Sequence, residues 1–174
     1  LYRNTTGNYN AALGGLVGNT TGSYNTSAGT YALNESTTGA YNSALDSGAL
    51  GNSTTTSFNA ATGWRALYNT TTGGYNSAFG NHALVSNITG FDNTAIGHYA
   101  DVGSGDLTNA TAIGNGAIVN ASNKIRLGNT DVTVIEGQVV FSSASDRRLK
   151  KDIVDTRYGL NAILKLRPVD YQIK

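Results

Sequence analysis

Ser145 and Lys150 are the residues of this chain whose types and spacing could do chemistry. A serine hydroxyl is a weak nucleophile until a base removes its proton. A lysine serves as that base when burial lowers its pKa toward neutrality. The pair lies within Ser145-Asp146-Arg147-Arg148-Leu149-Lys150, at the junction of two parts of unlike composition. A Ser/Lys pair at such a boundary points to a protein that cuts itself there. The spacing alone is common: by itself it reads better as Lys150 and Lys151 solvated at the surface and Asp146 in a turn. An oxyanion donor is also required, and the sequence identifies none.

Other chemistry-bearing residues are sparse. His82 and His98 fall at different positions of a repeat and read as turn residues. Asp92, Asp101 and Asp106 lie close in sequence, yet they form neither the Asp-rich nonapeptide of calcium-binding rolls nor a convincing carboxylate pair. No metal or cofactor is expected. The Tyr/Phe series with Trp64 reads as a packed ladder, with sugar stacking as the alternative. Asn-x-Ser/Thr sequons recur from Asn4 to Asn120, as chance provides in a chain so rich in Asn and Thr. With no cysteine, a disulfide framework and a Cys-based zinc site are excluded.

Charge divides the 174 residues. Residues 1–123 hold two basic side chains (Arg3, Arg65) and five acidic ones, a net of −3. Residues 124–174 hold ten basic and six acidic, a net of +4. A first part so poor in cations is a poor match to nucleic acid, whose binding rests on neutralised phosphates. The apolar runs are a few residues long, against the roughly 20 that span a bilayer, so no membrane insertion is expected. The chain opens at Leu1 and stops at Lys174 in mid-pattern, and it reads as a fragment of a longer protein.

The elements that must position the pair begin with an array. A block reading Tyr-Asn-x-Ala-apolar-Gly-x-x-Ala-Leu recurs, its glycine at Gly14, Gly29, Asp46 (a substitution), Gly63, Gly80, Gly97 and Gly114. The spacing is 15, then five times 17, with a last step of 14 to Gly128. Seventeen residues are too few for a helix pair. Two short apolar stretches per repeat, separated by Gly or Thr-Thr-Gly turns, give one coil of a β-solenoid with two strands and two turns. Ala and the apolar residue beside it point to opposite faces. Small residues inside (Ala12, Ser27, Ala44, Ala61, Ala78, Ala95, Ala112) put the two walls close together. A second small position reads Val17, Ala32, Ala49, Ala66, Ala83, Ala100 and Ala117. The outward apolar face asks for a partner, which a symmetric oligomer supplies. Stacked coils place equivalent Asn and Tyr residues in ladders.

Asn93-Thr94-Ala95-Ile96-Gly97 and Ala110-Thr111-Ala112-Ile113-Gly114-Asn115-Gly116-Ala117 resemble the core block of YadA-type trimeric autotransporter adhesin heads. The resemblance spans about residues 5–128 and implies a left-handed parallel β-roll trimer. The 17-residue coils, with their extended Thr-Thr-Gly turn, depart from that family.

Beyond the array, Lys124–Gly128 reads as an eighth, imperfect coil. Val132–Ile135, a Glu136-Gly137 turn and Gln138–Phe141 read as a β-hairpin. Ser142-Ser143-Ala144 is a small spacer. A strand at Ile153-Val154, a helix across Arg157–Leu166 stopped by Pro168, and a strand at Val169–Ile173 complete the chain. The expected divisions are 1–128 for the roll, 129–144 for hairpin and junction, and 145–174 for the start of a further domain. The expected fold class is mainly β, a repetitive parallel β-roll or β-solenoid forming a trimer, with a short α+β segment at the end.

Residues Ser145-Asp146, Arg148, Lys150, Ile153, Gly159-Leu160, Ile163-Leu164, Leu166-Arg167-Pro168-Val169 and Tyr171 resemble, in order and spacing, the C-terminal intramolecular chaperone of phage tail spikes, tail fibres and endosialidases. The same domain occurs in myelin regulatory factor. The resemblance implies a domain that trimerises a fibre, guides its folding and releases itself by a cut before the serine, here between Ala144 and Ser145. It implies catalytic roles for Ser145 and Lys150, with Asp146 in support. The long helices that follow in that family are not contained in these 174 residues, so this chain is expected to carry the dyad uncut.

Three functions compete on the sequence: a trimeric fibre with a self-cleaving chaperone, a surface fibre with a non-cleaving cap, and a glycan- or ice-binding solenoid. The first is the expected one. It implies a self-associating partner, a cell-surface glycan or receptor as a further one, and a place outside the cell, at its surface or on a virion.

Overall fold

The computed structural model describes residues 3–138. Ala144, Ser145, Asp146 and Lys150, the strands and helix expected beyond Lys151, and the second hairpin strand from Val139 all lie outside the described residues. One compact unit runs Leu1–Val134, and a second begins at Ile135.

The first unit is a parallel β-solenoid of about seven turns, with no helix among the described residues. One wall is a parallel sheet of three-residue strands: β1 (Ala11–Leu13), β2 (Thr26–Ala28), β3 (Ser43–Leu45), β4 (Ala60–Thr62), β5 (Ser77–Phe79), β6 (Thr94–Ile96), β8 (Thr111–Ile113) and β10 (Ile125–Leu127). The other wall holds only β7 (Asp101–Val102) and β9 (Ile118–Val119), paired with each other. Each main strand meets the same repeat position of the next coil, as in Ala44↔Ala61 and Ala61↔Ala78.

The pleat explains the three-residue pattern. The middle residue turns inward: Ser27, Ala44, Ala61, Ala78, Ala95 and Ala112 are buried. Its neighbours turn outward, so Leu45, Phe79, Ile96 and Ile113 stay exposed. Across the thin interior, Leu16, Leu33, Leu50, Leu67 and Leu84 are fully buried and fill the space that the alanines leave.

This second wall differs from the two-strand expectation. In four of the 17-residue coils, the leucine after a buried alanine adopts a left-handed conformation, at φ 51–53°. That turn lets two consecutive residues, such as Ala66 and Leu67, both be buried, which a straight strand forbids. The left-handed backbone costs about 1–2 kcal/mol for a residue with a Cβ, and burying a leucine returns about 1.5–3 kcal/mol. Where the column carries Asp101 and Ile118, φ is not positive and the chain extends into β7 and β9. A β-branched Ile118 is a poor occupant of the left-handed region, and Val102 and Val119 are buried in place of the leucine.

The first coil corrects the second small position. The Leu16 amide donates to Ala32 O as that of Leu33 donates to Ala49 O. Gly15, not Val17, therefore stands at the alanine position, and Val17 is exposed. Two residues are missing from this coil, and it closes so tightly that a Cβ on Gly15 would lie 2.1 Å from Ala32 O.

A polar spine ties the coils together. The Oδ1 atoms of Asn10, Asn25, Asn42, Asn59 and Asn76 each accept the backbone N–H of the next asparagine in the column, at 2.9–3.1 Å. Their Nδ2 atoms donate to turn carbonyls such as Gly39 O and Gly90 O. The spine ends where Asn93 Oδ1 accepts the Ala110 amide. At the far end, Arg126 pairs with Ala112 and occupies the inward position, its Nε donating to Gly128 O. A guanidinium at that position ends the apolar interior.

The expected first hairpin strand is not present. Val132–Ile135 form no strand, and Val132, Val134 and Ile135 are exposed.

Candidate functional site

Three surface features of the solenoid carry side chains able to bind something. The first is the outer face of the main sheet. Position one of every strand but β10 is small or polar (as in Thr26, Ser43, Ser77, Thr94 and Thr111), and position three is apolar at Leu13, Leu45, Phe79, Ile96, Ile113 and Leu127, with Ala28 and Thr62 between them. Parallel strands stack these side chains one above another in register. The face expected to need a partner is therefore exposed within the single chain.

The second feature is the aromatic column two residues ahead of the strands. Tyr9, Tyr24, Tyr41, Phe58 and Tyr75 stack at 4.7–4.9 Å between ring centroids, with interplanar angles of 2–19°. All five have φ of 57–62°, as do Asp92 (57°) and, nearly, Asn109 (53°), which continue the column. The spacing is that of neighbouring strands. Each inner ring has its faces against the rings above and below. Sugar stacking, which needs an open ring face, is thereby denied to Tyr24, Tyr41 and Phe58. The packed-ladder reading of these residues holds.

The third feature is the corner beyond the strand-ending glycine, and it breaks the Thr/Ser/Asn monotony of the surface. Arg65 Cζ lies 5.0 Å from the Trp64 ring centroid and 4.9 Å from that of Tyr68. Both distances are cation–π contacts. His82 meets Trp64 edge-on and stacks on Tyr99, each at 4.5 Å. His98 meets Tyr99 edge-on, and its Nδ1 lies 3.1 Å from Asn115 Nδ2. Burial and the nearby Arg65 charge hold the His82 imidazole below its ordinary pKa, with His98 adding to the effect. His82 and His98 are turn residues, as expected, but the coil spacing also brings them into one cluster. Arg65 and Tyr68 were not singled out in sequence. The signal was their departure from the repeat, together with Gly48 and Gly51 one coil earlier.

The three aspartates do not converge. Asp92 is exposed on the aromatic column. Asp106 is exposed and accepts the Ser104 hydroxyl at 2.5 Å. Asp101 is buried at the leucine position, where its carboxylate accepts the Ser86 and Val102 amides. Burial pushes the Asp101 carboxyl above its ordinary range, opposed by those donors. Among the described residues no group of three or more His, Cys, Asp or Glu side chains could hold a metal ion. Asn19, Asn25 and Asn87 are buried in the roll, which removes three of the sequons from the surface.

No curated protein and no solved structure matches the chain. The likeness of the array to YadA-type heads therefore rests on the sequence blocks alone. The segment after the solenoid does find a match: residues 145–174 fit the family model described as chaperone of endosialidase, the kind of domain its sequence resembles.

Proposed function

We propose that this chain is the shaft and chaperone junction of a trimeric fibre and that the intact protein, with the helices that follow in the family, is released from its chaperone by one self-cleavage between Ala144 and Ser145. The match of residues 145–174 to the chaperone family carries the reading. The solenoid supports it independently, because a thin roll with an unpaired apolar column on its sheet face is the expected protomer of a self-associating shaft. A place outside the cell or on a virion goes with this reading.

In the proposed reaction, Lys150 removes the Ser145 hydroxyl proton. Ser145 Oγ attacks the Ala144 carbonyl carbon, and the Ala144–Ser145 C–N bond breaks as the leaving amine takes up a proton. The resulting ester links Ala144 to the Ser145 oxygen. Water hydrolyses it, leaving a carboxylate on Ala144 and the free hydroxyl and amine on Ser145. Asp146 would support the geometry. The reaction occurs once per chain and in cis.

The test is a denaturing gel of the full-length protein with N-terminal sequencing of the smaller product. Wild type is expected to yield a product that begins at Ser145. Ser145→Ala should yield none, and Lys150→Ala should slow cleavage by about 10²–10⁴-fold, the usual worth of a general base. An uncut wild type of trimer mass in light scattering would instead assign the segment as a non-cleaving cap. A monomer mass would overturn the fibre reading.

A further inference from the structure

We propose that Asp46 is a site of spontaneous covalent modification, where the peptide bond to Ser47 migrates onto the aspartate side chain through a cyclic imide. The reaction depends on neither cleavage nor assembly of the chain.

Asp46 stands where the neighbouring coils place glycine. The strand-ending Gly29, Gly63, Gly80, Gly97 and Gly114 have φ of 114–136°, and Asp46 has φ 96°. Every other non-glycine residue of positive φ among the described residues lies at 49–62°, in or beside the left-handed well that a Cβ tolerates. Asp46 is the one described side chain held well past it. Its surroundings keep it there. The Asp46 amide donates to Ala28 O at 2.7 Å, and its carbonyl accepts the Ala49 amide at 3.3 Å. The coil before leaves no slack, since a Cβ on Gly29 would lie 2.5 Å from the Asp46 carbonyl carbon. Rotating the backbone out of this conformation would break the stacking of the coils, so the strain stays in place.

The nucleophile already lies beside the carboxyl group. The Ser47 amide nitrogen is 2.7 Å from Asp46 Oδ1, and Cγ is the next atom along. Among the described hydrogen bonds that amide has no other acceptor, so no ladder bond is lost when it turns to attack. Asp46 is exposed to water, and Ser47 and Gly48 are small. Reacting atoms held this close need little further ordering.

In the carboxylic acid form, the Ser47 nitrogen attacks Asp46 Cγ. The N–Cγ bond forms, the nitrogen gives up its proton, and a Cγ–O bond breaks as water leaves. The product is a five-membered imide in which one nitrogen joins both Asp46 carbonyls. Water then adds to one of them and opens the ring. Opening at the main-chain carbonyl leaves Ser47 linked through Cγ, with a free α-carboxylate: an isoaspartyl bond. Opening at Cγ restores aspartate. The imide also acidifies the Asp46 Cα–H, so part of the product reopens with inverted chirality. For a D residue, positive φ is the ordinary side of the map.

Asp101 is an internal comparison. Its Oδ1 accepts the Val102 amide at 2.8 Å, the same contact. Yet Asp101 is buried, its φ is not positive, and its carboxylate also accepts the Ser86 amide. The residue after it is a β-branched valine. The amides that follow Asp92 and Asp106 are committed elsewhere, to Asn76 Oδ1 and to Ser104 O. Strain, exposure and an uncrowded amide coincide at Asp46.

The experiment ages the folded full-length protein at neutral pH beside a synthetic peptide of residues 40–53. Isoaspartate and D-aspartate at position 46 are read in the digest, at unchanged mass, by retention time and electron-transfer fragmentation. The folded protein is expected to isomerise at Asp46 about tenfold or more faster than at Asp101, the worth of one such backbone strain, and faster than the unstrained peptide. Asp46→Gly returns the repeat residue and should raise Tm while removing the product. Ser47→Val keeps Asp46 and its φ, crowds the amide, and should slow the reaction several-fold. A folded protein that isomerises at Asp46 no faster than the free peptide would overturn the proposal. Equal rates at Asp46 and Asp101, or an unchanged rate in Ser47→Val, would do the same.

Discussion

Asp101 occupies a position that five other coils give to leucine, and the exchange has a pH signature. Burial raises its carboxyl pKa, so the folded state holds the proton more tightly than the unfolded chain does. The stability tied to this group is fully present below the unfolded value of 3.8 and is lost as pH rises through the folded value. Above the folded value the roll would carry a desolvated carboxylate, and the upward shift shows that its amide donors offset only part of that penalty. Asp101→Asn keeps an acceptor and removes the charge. Its Tm should exceed that of wild type at pH 7, and the gap should close as pH falls toward 3.8. A gap that stays constant with pH would show that Asp101 is not the titrating group.

Leu67 makes a second argument at the same scale. It is buried at φ 53°, so two demands meet in one residue: apolar volume and a left-handed backbone. Leu67→Ile preserves volume but brings a β-branch into that region. The substitution should cost about 1–3 kcal/mol in a urea melt through backbone strain. Leu67→Ala leaves a cavity and should cost about 2–5 kcal/mol. A neutral Leu67→Ile would show that the wall relaxes into the extended form of β7 and β9.

Among the elements, the three-residue strand is weak alone and strong in a stack. Its flanks decide this: an asparagine before it bonds along the axis, and a glycine after it lets the next coil approach. Asn59 Oδ1 accepts the Asn76 amide at 2.9 Å, while Nδ2 donates to Gly73 O and Thr56 Oγ1. Asn59→Ala strands a buried amide and a buried carbonyl, each worth about 1–3 kcal/mol unpaired. Hydrogen exchange should report lost protection at Asn76 first, then at the strands on either side. Undiminished protection there would mean that the spine adds no stability.

The elements also divide what the sequence discloses from what it hides. The inward alanines, the outward apolar column, and the Asn and Tyr ladders follow from a fixed period and alternating faces, so they are legible before any coordinates. The leucine turn is not, because leucine has no local preference for positive φ and adopts it only where the thin interior rewards burial. Val17 is misread as the second small position because the first coil is two residues short, and the register belongs to Gly15. The cluster around Arg65 joins residues 48, 51, 64, 65 and 68 across neighbouring coils, a juxtaposition set by the coil rise. The Ser145/Lys150 dyad is the reverse case. It is a proposal that rests on linear spacing and on a family model spanning residues 145–174, and both residues lie outside the described residues.

At the scale of the whole molecule, the sheet face decides whether the roll stands alone. Phe79, Ile96 and Ile113 lie on three successive strands of one sheet and are 38–46% exposed. Monomeric proteins rarely leave contiguous apolar surface beyond a few hundred Å² uncovered. In the proposed trimer this column would turn toward the neighbouring chains. Interior and interface are separable here, because on each of these strands only the middle alanine faces the coil's own core. Phe79→Asp combined with Ile96→Asp should therefore leave the solenoid's circular dichroism unchanged and drive its shaft from trimer toward monomer in light scattering. Loss of the β signal together with the trimer would show that the coil cannot hold itself without its neighbours. A double variant that stays trimeric with an intact shaft would move the interface to another face.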